Sequence, residues 1–465
     1  MGIAASLFHS TADPKRTLDW RIRPSDDQYE QQQERWRDVA EYLVEDLKGR
    51  SGYTLNWWLQ GSYKFGTQVR PPSTGDEFDI DLGIYFRWEG SDEDGDHGPA
   101  ELKGFVRESL TDYADDEANE ADKISDPKPR CERLHFKPDF HIDVPCYHLH
   151  PSQDARSLAT QDDEWEESDP KAIYKWWKDT FGEDVRPRLR RLVRYMKMWA
   201  ALSFGADARP SSILLTVLVG EAWSAMDTDA PSGDDEYLVE IVRTIVARLE
   251  RNATVPNPAA KRENLNRLDQ AKSDAFIDKL RELLSVGERG VAAASKTAAA
   301  EIWGEVFQHF FPLPEEDDSQ TAVLKEAGRA LIPMVFDPQV AVTAVPRKRA
   351  DRVFRGTNQI GPIPKDCSLT FTLMNEADLP YGATLSWTVR NEGDEAEDEN
   401  DLGHVAGNTA RVEERSAYRG IHHMDLAVRL NGRVIGRRRI PVTVTRMFMP
   451  LRNPPRPSWA NKHRR

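Results

Sequence analysis

Three short stretches of this 465-residue chain decide its fold: QGSYKFGT at residues 60–67, EFDIDL at residues 77–82 and HIDVP at residues 141–145. The first stretch has small residues where a strand is expected to turn into a helix. The second has two carboxylates separated by one apolar residue, and the third has a single carboxylate between apolar residues. The alternation in the second stretch predicts a half-buried β-strand.

The carboxylates of these stretches, Asp79, Asp81 and Asp143, are predicted to meet at one point. Side chains at i and i+2 of a strand share a face, so Asp79 and Asp81 point the same way while their apolar neighbours face a core. Buried carboxylates are costly unless they are paired or bind a metal, and hard oxygen ligands suit Mg²⁺. Two such ions can clamp the attacking and leaving oxygens of a phosphoryl displacement. The alternative is two exposed edge carboxylates with an unrelated Asp143 in a turn.

The order of these motifs resembles that in the nucleotidyltransferase superfamily of DNA polymerase β. The residues within each motif are similar to those of bacterial cGAS/DncV-like synthases of cyclic oligonucleotides. The likeness covers roughly residues 30–330 in motif order. A long insert between Ser62 and Asp79, with a loop at residues 69–75, departs from the wider superfamily. The resemblance implies an α/β (α+β) fold: a polymerase-β-like core with a mixed sheet, a helical second lobe and a C-terminal β-sandwich.

The resemblance also implies an activity, the synthesis of a cyclic di- or trinucleotide from ATP, GTP or other ribonucleoside triphosphates with Mg²⁺ or Mn²⁺. Asp79 and Asp81 would bind both metal ions, and Asp143 would hold the ion next to the acceptor hydroxyl. The product would be a second messenger, read by a separate effector in CBASS anti-phage defence. A regulatory protein or a phage-derived trigger could control the synthase.

Five residues are expected to bind nucleotide. Gln60, Gly61 and Ser62 would hold the triphosphate at a turn that begins a helix, where backbone N–H groups favour anions. The family also has a Lys in one helix and a Ser at the start of the next, both contacting phosphates, and Lys197 and Ser212 match these places. One of Ser211 and Ser212 is also expected to cap the second of these helices.

The helix predicted at residues 186–204 places Lys197 at the boundary of an apolar arc, where its stem can be buried and its ammonium can reach a cleft. On the opposite face, Arg190, Arg191 and Arg194 are interpreted as solvated. His141, His148 and His150 surround the third aspartate, and they are interpreted as structural because they lack partners at zinc-ligand spacing. These three histidines and three arginines are therefore left out of the predicted site.

Composition excludes several classes of protein. The net charge is −15, which argues against the basic surface that duplex DNA binding requires. The three cysteines fit neither a zinc template nor a disulfide framework, as expected in a reducing compartment. No segment is long and apolar enough to span a membrane, and the start of the chain lacks a signal-peptide pattern. A cytoplasmic location without membrane contact is therefore expected.

Composition also changes along the chain and predicts its division into domains. An acidic stretch at residues 162–169 is interpreted as a solvated linker, and from about residue 345 the pattern acquires the period of two that is typical of strands. The predicted domains are a catalytic core with an N-terminal helix (1–165), a helical lobe completing the nucleotide cleft (166–335), a β-sandwich (345–447) and a flexible, basic, Pro-rich tail (448–465). The β-sandwich resembles adenylyl/guanylyl-and-SMODS-type sensor domains.

Two other functions are compatible with the same motifs. One is a nucleotidyltransferase that modifies tRNA, a protein or a small molecule. For tRNA it would need a basic groove, which the acidic composition of the chain does not indicate. The other is a catalytically silent sensor that has kept the fold. The intact Asp79, Asp81 and Asp143 argue against the second. Conjugation of the C-terminus to a partner is a further idea, but the basic ending at residues 461–465 departs from the small terminal residue expected for it.

Overall fold

The computed structural model describes residues 2–73, 76–136, 140–227, 229, 231–314, 336–347, 350–431 and 433–445. The chain divides into two units, Met1–Val323 and Leu324–Arg465. The predicted tail at 448–465, the end of the predicted loop at 69–75 and the predicted boundary at residue 335 lie outside the described residues.

The first unit combines one sheet with two sets of helices. Its strands are β1 (Thr54–Leu59), β2 (Phe78–Arg87), β3 (Ala121–Ile124), β4 (Glu132–Phe136), β5 (Phe140–Val144), β6 (Cys146–Leu149), β7 (Arg156–Ala159) and β8 (Trp165–Glu167). Its helices are α1 (Ala5–Phe8), α2 (Leu18–Ile22), α3 (Asp26–Ser51), α4 (Gly61–Phe65), α5 (Pro99–Asp115), α6 (Pro170–Thr180), α7 (Arg186–Ser203), α8 (Ser212–Ala225), α9 (Asp234–Arg251), α10 (Gln270–Val291) and α11 (Lys296–Phe307).

The sheet is mixed and is built around β2. Its order is β3-β4-β5-β2-β6-β7-β8, and β1 pairs antiparallel with β2. The first half of β2 pairs in parallel with β5 and its second half with β6. Pro145 separates β5 from β6, and its carbonyl accepts a hydrogen bond from the N–H of Ile84 at 3.0 Å. The strand is interrupted there because proline has no N–H to donate.

One face of this sheet is covered by α3 and α5. A Ser25–Gln28 capping box begins α3, and Gly52 ends it in a left-handed conformation (φ 76°). Alternate residues of β2, such as Ile80, share a buried core with Leu43 of α3 and Val106 of α5. The aspartates of β2 therefore point away from this core, as the i and i+2 spacing predicts.

Helices α6 to α11 form the predicted helical lobe, and the N-terminal residues pack into it. Phe8 of α1 makes edge-to-face contacts with Tyr195 of α7, at 5.2 Å between ring centroids, and with Trp303 of α11, at 4.8 Å.

The sheet itself continues into the acidic stretch at 162–169, since Leu158 of β7 pairs with Glu166 of β8. The interpretation of that stretch as a linker was wrong, because the strand pairing uses backbone groups and leaves its charges at the surface.

The second unit consists of two sheets. Its strands are β9 (Val340–Pro346), β10 (Phe354–Thr357), β11 (Ile360–Pro364), β12 (Cys367–Leu373), β13 (Thr384–Arg390), β14 (Gly403–Gly407), β15 (Arg411–Arg415), β16 (Gly420–Leu430) and β17 (Arg433–Thr445). The sheet orders are β10-β9-β12-β15 and β11-β17-β16-β13-β14. Both sheets contribute to one buried core, which includes Phe371 and Trp387. The predicted fold class, with its C-terminal β-sandwich, is confirmed.

In the part of the chain that the structure describes, none of the helices has the combination of length and apolar character needed to cross a bilayer.

Candidate active site

Two rows of polar side chains cross the sheet from β2 through β5 to β4. Directly paired residues of neighbouring strands place their side chains on the same face. The strand register gives the rows as Asp79–His141–His135 and Asp81–Asp143–Arg133. Because the rows are two residues apart on every strand, all six side chains lie on the face opposite the α3 and α5 core. The structure thus brings the three predicted aspartates together.

The three carboxylates have different environments. The side chain of Asp79 is 52% exposed, whereas that of Asp143 is 13% exposed. Burial, together with the negative charges of Asp79 and Asp143, raises the pKa of Asp81 well above its ordinary value. A cation placed among the carboxylates would relieve the repulsion that acts on Asp81.

Asp143 is held by a basic residue that sequence reasoning missed. Arg133 binds it in a bidentate pair, with Nη2 donating to Oδ2 at 2.7 Å and Nε donating to Oδ1 at 2.5 Å. Lys128 lies 3.8 Å from the same carboxylate. Planar, bidentate pairs of this kind fix orientation as well as charge. The position of Arg133 opposite Asp143 follows from the antiparallel register of β4 and β5, which the sequence pattern did not determine.

Asp79 is held by a histidine. Nε2 of His141 lies 3.0 Å from Oδ1 of Asp79. Burial acts to raise the pKa of Asp79, but the hydrogen bond and charge of His141, with the charges of Arg133 and Lys128, outweigh burial and lower that pKa. Asp79 therefore stays ionised, as a metal ligand must.

The predicted phosphate turn lies directly against Asp81. Gly61 begins α4 with a φ of 56°, a conformation that glycine adopts without strain. A Cβ on Gly61 would lie 1.8 Å from Oδ2 of Asp81. The N–H of Gln60 also donates to the carbonyl of Asp81 at 2.9 Å. Gly61, and Ser62 after it, are therefore next to the carboxylate cluster.

The Gln60 side chain is held from both sides within the protein. Its Nε2 donates to the Tyr85 hydroxyl at 3.0 Å, and the Tyr147 hydroxyl donates to its Oε1 at 3.1 Å. All three side chains are buried. This arrangement fixes the position of the turn at the end of β1, and the contact of Gln60 with nucleotide stays a prediction.

Lys197 reaches the same region from the helical lobe. Its Nζ donates to the carbonyl of Thr67 at 2.9 Å, and the residue is 7% exposed. Burial lowers the pKa of Lys197 to about 8, and the charges of Asp79 and Asp81 act in the opposite direction. The ammonium group is therefore placed close to the carboxylates and the turn, as the position of Lys197 on its helix suggests.

The arginines of α7 are not solvated, which corrects the sequence interpretation. Arg190 donates to the carbonyl of Phe65 at 3.0 Å and Arg194 to that of Gly66 at 2.7 Å. Arg191 makes a bidentate pair with Asp234. The polar face of α7 therefore fastens the loop after α4 to the helical lobe. Helical periodicity could not distinguish this contact from exposure to water.

Ser212 is exposed at the start of α8, whereas Lys197 is buried. Ser211 is the N-cap of α8, and its hydroxyl accepts from the N–H of Leu214 at 3.3 Å, which confirms the expected cap. Ser212 is the exposed first residue of the helix, and its carbonyl accepts from the Thr216 hydroxyl. Within the described ranges, no hydrogen bond or ion pair joins Ser212 to the aspartates.

The buried ammonium of Lys197 gives a testable pH dependence. The unfolded chain binds this proton up to about pH 10.5 and the folded chain only up to about pH 8. Between these values the unfolded state holds more protons, so the free energy of unfolding rises with pH, by at most about 3 kcal/mol. We expect Lys197→Met to lack this rise. Urea unfolding of both proteins at several pH values, without metal or nucleotide, measures the difference, and parallel pH profiles would contradict the assignment.

Comparisons with known proteins match two regions of the chain to family models. The family model for the cyclic GMP-AMP synthase DncV-like nucleotidyltransferase domain matches residues 55–147. The model for the adenylyl/guanylyl and SMODS C-terminal sensor domain matches residues 324–445. The first match contains Gly61, Ser62 and the three aspartates.

Two curated relatives and one solved structure illustrate the likeness. A cyclic GMP-AMP synthase of Escherichia albertii is 29% identical over 447 residues, covering 95% of this chain and 96% of the relative. A c-di-GMP synthase of Roseivirga ehrenbergii is 27% identical over 271 residues, covering 52% of this chain and 66% of the relative. The crystal structure of the Vibrio cholerae DncV cyclic AMP-GMP synthase with nonhydrolyzable GTP has a similar fold, with a TM-score of 0.56 and 20% identity, covering 68% of this chain and all of that one. Residues 55–147 are therefore similar to the DncV-like nucleotidyltransferase domain, and residues 324–445 are similar to the adenylyl/guanylyl and SMODS C-terminal sensor domain.

Proposed function

We propose that this protein synthesises a cyclic dinucleotide from two ribonucleoside triphosphates. The observation that carries the proposal is the strand register, which aligns Asp81 with Asp143 and puts Asp79 on the same face, directly beside the Gly61 turn. Two relatives named cyclic GMP-AMP synthase and c-di-GMP synthase support purine nucleotides, GTP and ATP, as the substrates.

The carboxylate cluster fits Mg²⁺ or Mn²⁺. Its donors are hard oxygens, and burial together with the charges of Asp79 and Asp143 raises the pKa of Asp81, which indicates a position where a divalent cation is favourable. Asp79 and Asp81 would hold both ions, and Asp143 would hold the ion on the acceptor side. When bound, the ions neutralise charge on the attacking oxygen, the triphosphate and the leaving pyrophosphate.

Different residues of the chain would then bind the triphosphate and orient it toward the acceptor hydroxyl. The backbone at Gly61 and Ser62 would receive the triphosphate, and Lys197 would supply positive charge beside it. The ammonium of Lys197 is already close to this turn through its hydrogen bond to Thr67. Ser212 would add a hydroxyl from the exposed start of α8. These donors would align the α-phosphorus with the acceptor hydroxyl, which is where positioning contributes most to phosphoryl transfer.

The reaction proposed is nucleotidyl transfer in two rounds. The oxygen of a 2′- or 3′-hydroxyl attacks the α-phosphorus of the other nucleotide, the bond to the β-phosphate oxygen breaks and pyrophosphate leaves. Asp143, next to the acceptor, favours loss of the hydroxyl proton. Repetition of the same step within the linear product closes the ring and releases a second pyrophosphate.

A signalling role follows from this product. We propose that the cyclic dinucleotide is a second messenger read by a separate effector in anti-phage defence, and that the synthase acts in the cytoplasm. The C-terminal sensor domain is the natural place for a regulatory protein or a phage-derived trigger to act, because it forms a unit of its own.

The test of the function is a product assay. Purified protein is incubated with the four ribonucleoside triphosphates and Mg²⁺ or Mn²⁺, and the products are treated with phosphatase and identified by mass spectrometry. We expect a phosphatase-resistant cyclic dinucleotide that is absent with the Asp79→Asn/Asp81→Asn double variant. A linear or macromolecular product would instead identify a transferase of another kind.

A further inference from the structure

A second group of potential metal ligands lies beside the carboxylate cluster. Glu77, His135 and His141 each offer one ligand atom, and these atoms all lie within 4.8 Å of one another. Nδ1 of His135 and Nδ1 of His141 are both 2.8 Å from Oε2 of Glu77. The two histidines are directly opposed on β4 and β5, and Glu77 comes immediately before β2. Two paired strands, β4 and β5, and the residue that leads into β2 therefore hold this His-Glu-His cluster in place.

The spacing of the cluster is close to that of a tetrahedral metal site. Two ligands at about 2.0–2.1 Å from zinc lie about 3.3 Å apart in tetrahedral geometry. Nδ1 of His135 and Nδ1 of His141 are each 2.8 Å from Oε2 of Glu77, so each nitrogen–oxygen pair needs to separate by only about half an ångström. Two imidazoles with one carboxylate also form a donor set that suits zinc better than magnesium.

The outer nitrogens of both histidines support the same conclusion. Metal-bound histidines almost always donate their other ring N–H to a carboxylate, a backbone carbonyl or a water, which fixes the ring, and a hydroxyl oxygen can accept the same hydrogen bond. Here Nε2 of His141 is 3.0 Å from Asp79, and Nε2 of His135 is 2.6 Å from the Ser125 hydroxyl. Both Nδ1 atoms are thereby left facing the same point. The side chains of His135 and His141 are 12% and 9% exposed, and that of Glu77 is 28% exposed, so the site is shielded but open to water on the carboxylate side.

We propose that Glu77, His135 and His141 bind one zinc ion, with water as the fourth ligand, at a site separate from the aspartate cluster. The zinc would fix the ring of His141, and His141 would in turn fix the orientation of Asp79. Glu77 and His135 are positioning residues in this proposal. Sequence reasoning missed the site because its ligands come from three stretches without a zinc-type spacing, and His141 was interpreted as structural.

The first experiment measures zinc binding without nucleotide, so its outcome is independent of the proposed synthase activity. Untagged protein is equilibrated with zinc in excess Mg²⁺, freed of loose metal and analysed for metal content. X-ray absorption at the zinc edge then reports the ligands. We expect one zinc per chain with two histidine nitrogens at about 2.0 Å. A wild-type protein that retains no zinc, or a zinc spectrum without histidine, would overturn the proposal.

Variants then locate the metal. We expect His135→Gln and Glu77→Gln each to weaken zinc binding at least about 100-fold, measured by competition with a chelating dye and by loss of the visible spectrum of bound cobalt. Asp81→Asn should keep the zinc, because Asp81 belongs to the other row. His404→Gln is the matched control, since His404 also pairs with a glutamate, Glu414, at 2.9 Å but belongs to no group of three potential metal ligands among the described residues. Equal zinc affinity in His135→Gln and the wild type would show that the cluster is only a hydrogen-bonded network.

Discussion

Asp81→Asn is expected to abolish cyclic dinucleotide synthesis and at the same time to make the metal-free protein more stable. The loss of activity should be at least about 1,000-fold, since charge stabilisation by a bound metal contributes several kcal/mol to such reactions. The gain in stability has a separate origin. The pKa of Asp81 is raised by burial and by the charges of Asp79 and Asp143, so the ionised carboxylate opposes folding at neutral pH, and an amide at this position does not.

The sign of the pH dependence follows from the same shift. A carboxyl whose folded pKa lies above its unfolded value binds more protons in the folded state, so its contribution to the free energy of unfolding falls as pH rises. The advantage of Asp81→Asn should therefore be small near pH 4 and full well above the raised pKa of Asp81. We expect a rise in melting temperature of about 2 °C at neutral pH. Addition of Mg²⁺ should stabilise the wild type and leave the variant unchanged.

Thermal melts and product assays on matched proteins check this prediction. Asp76→Asn makes the same chemical change on an exposed residue just before β2 and should leave both activity and melting temperature near the wild-type values. An Asp81→Asn protein that still makes product would remove Asp81 from the proposed metal site. A lower melting temperature without metal would contradict the assigned direction of its pKa shift.

The i and i+2 spacing of the aspartates was sufficient to predict which face of β2 they share. It was not sufficient to predict what opposes them, because register between strands depends on loops that the pattern does not determine. Arg133 and His141 illustrate this limit. The pairing of β4 with β5 places Arg133 opposite Asp143, and the pairing of β5 with β2 places His141 opposite Asp79. The predicted convergence of Asp79, Asp81 and Asp143 appears in the structure through the same pairing of β5 with β2, which aligns Asp81 with Asp143.

The face of α7 shows a second limit. Its apolar arc was correctly assigned to the core, and Leu189 and Met196 are fully buried. The opposite face could have been solvated or could have contacted another polar surface, and helical periodicity is the same in both cases. Arg190 and Arg194 bind carbonyls at the end of α4 instead. Polar contacts between elements distant in sequence leave no periodic signal.

The second large effect is expected for Gly61→Ala. The new Cβ would lie 1.8 Å from Oδ2 and 2.8 Å from Cγ of Asp81, and Cβ atoms essentially never approach a non-bonded atom closer than 3.0 Å. The φ of 56° at this position adds about 1–2 kcal/mol for a residue with a side chain. Either the turn or the carboxylate must move. Because a displacement of about 1 Å at a reacting centre costs about 100-fold in rate, we expect at least that loss together with a lower melting temperature.

A second glycine in the same unit separates this clash from the general effect of adding a methyl group. Gly49 lies on the exposed side of α3, and a Cβ there would meet nothing within 4 Å. Gly49→Ala should therefore raise stability by up to about 1 kcal/mol through helix propensity and leave synthesis unchanged.

Circular dichroism must show that both variants are folded, and initial rates at saturating nucleotide then isolate the chemical step. If Gly61→Ala kept more than about a third of wild-type activity, the close approach of the turn to Asp81 would have no role in catalysis. A fall in rate confined to Gly61→Ala would show that the turn and the carboxylate act as one site, since the methyl group added at residue 49 meets neither a neighbouring atom nor a left-handed backbone.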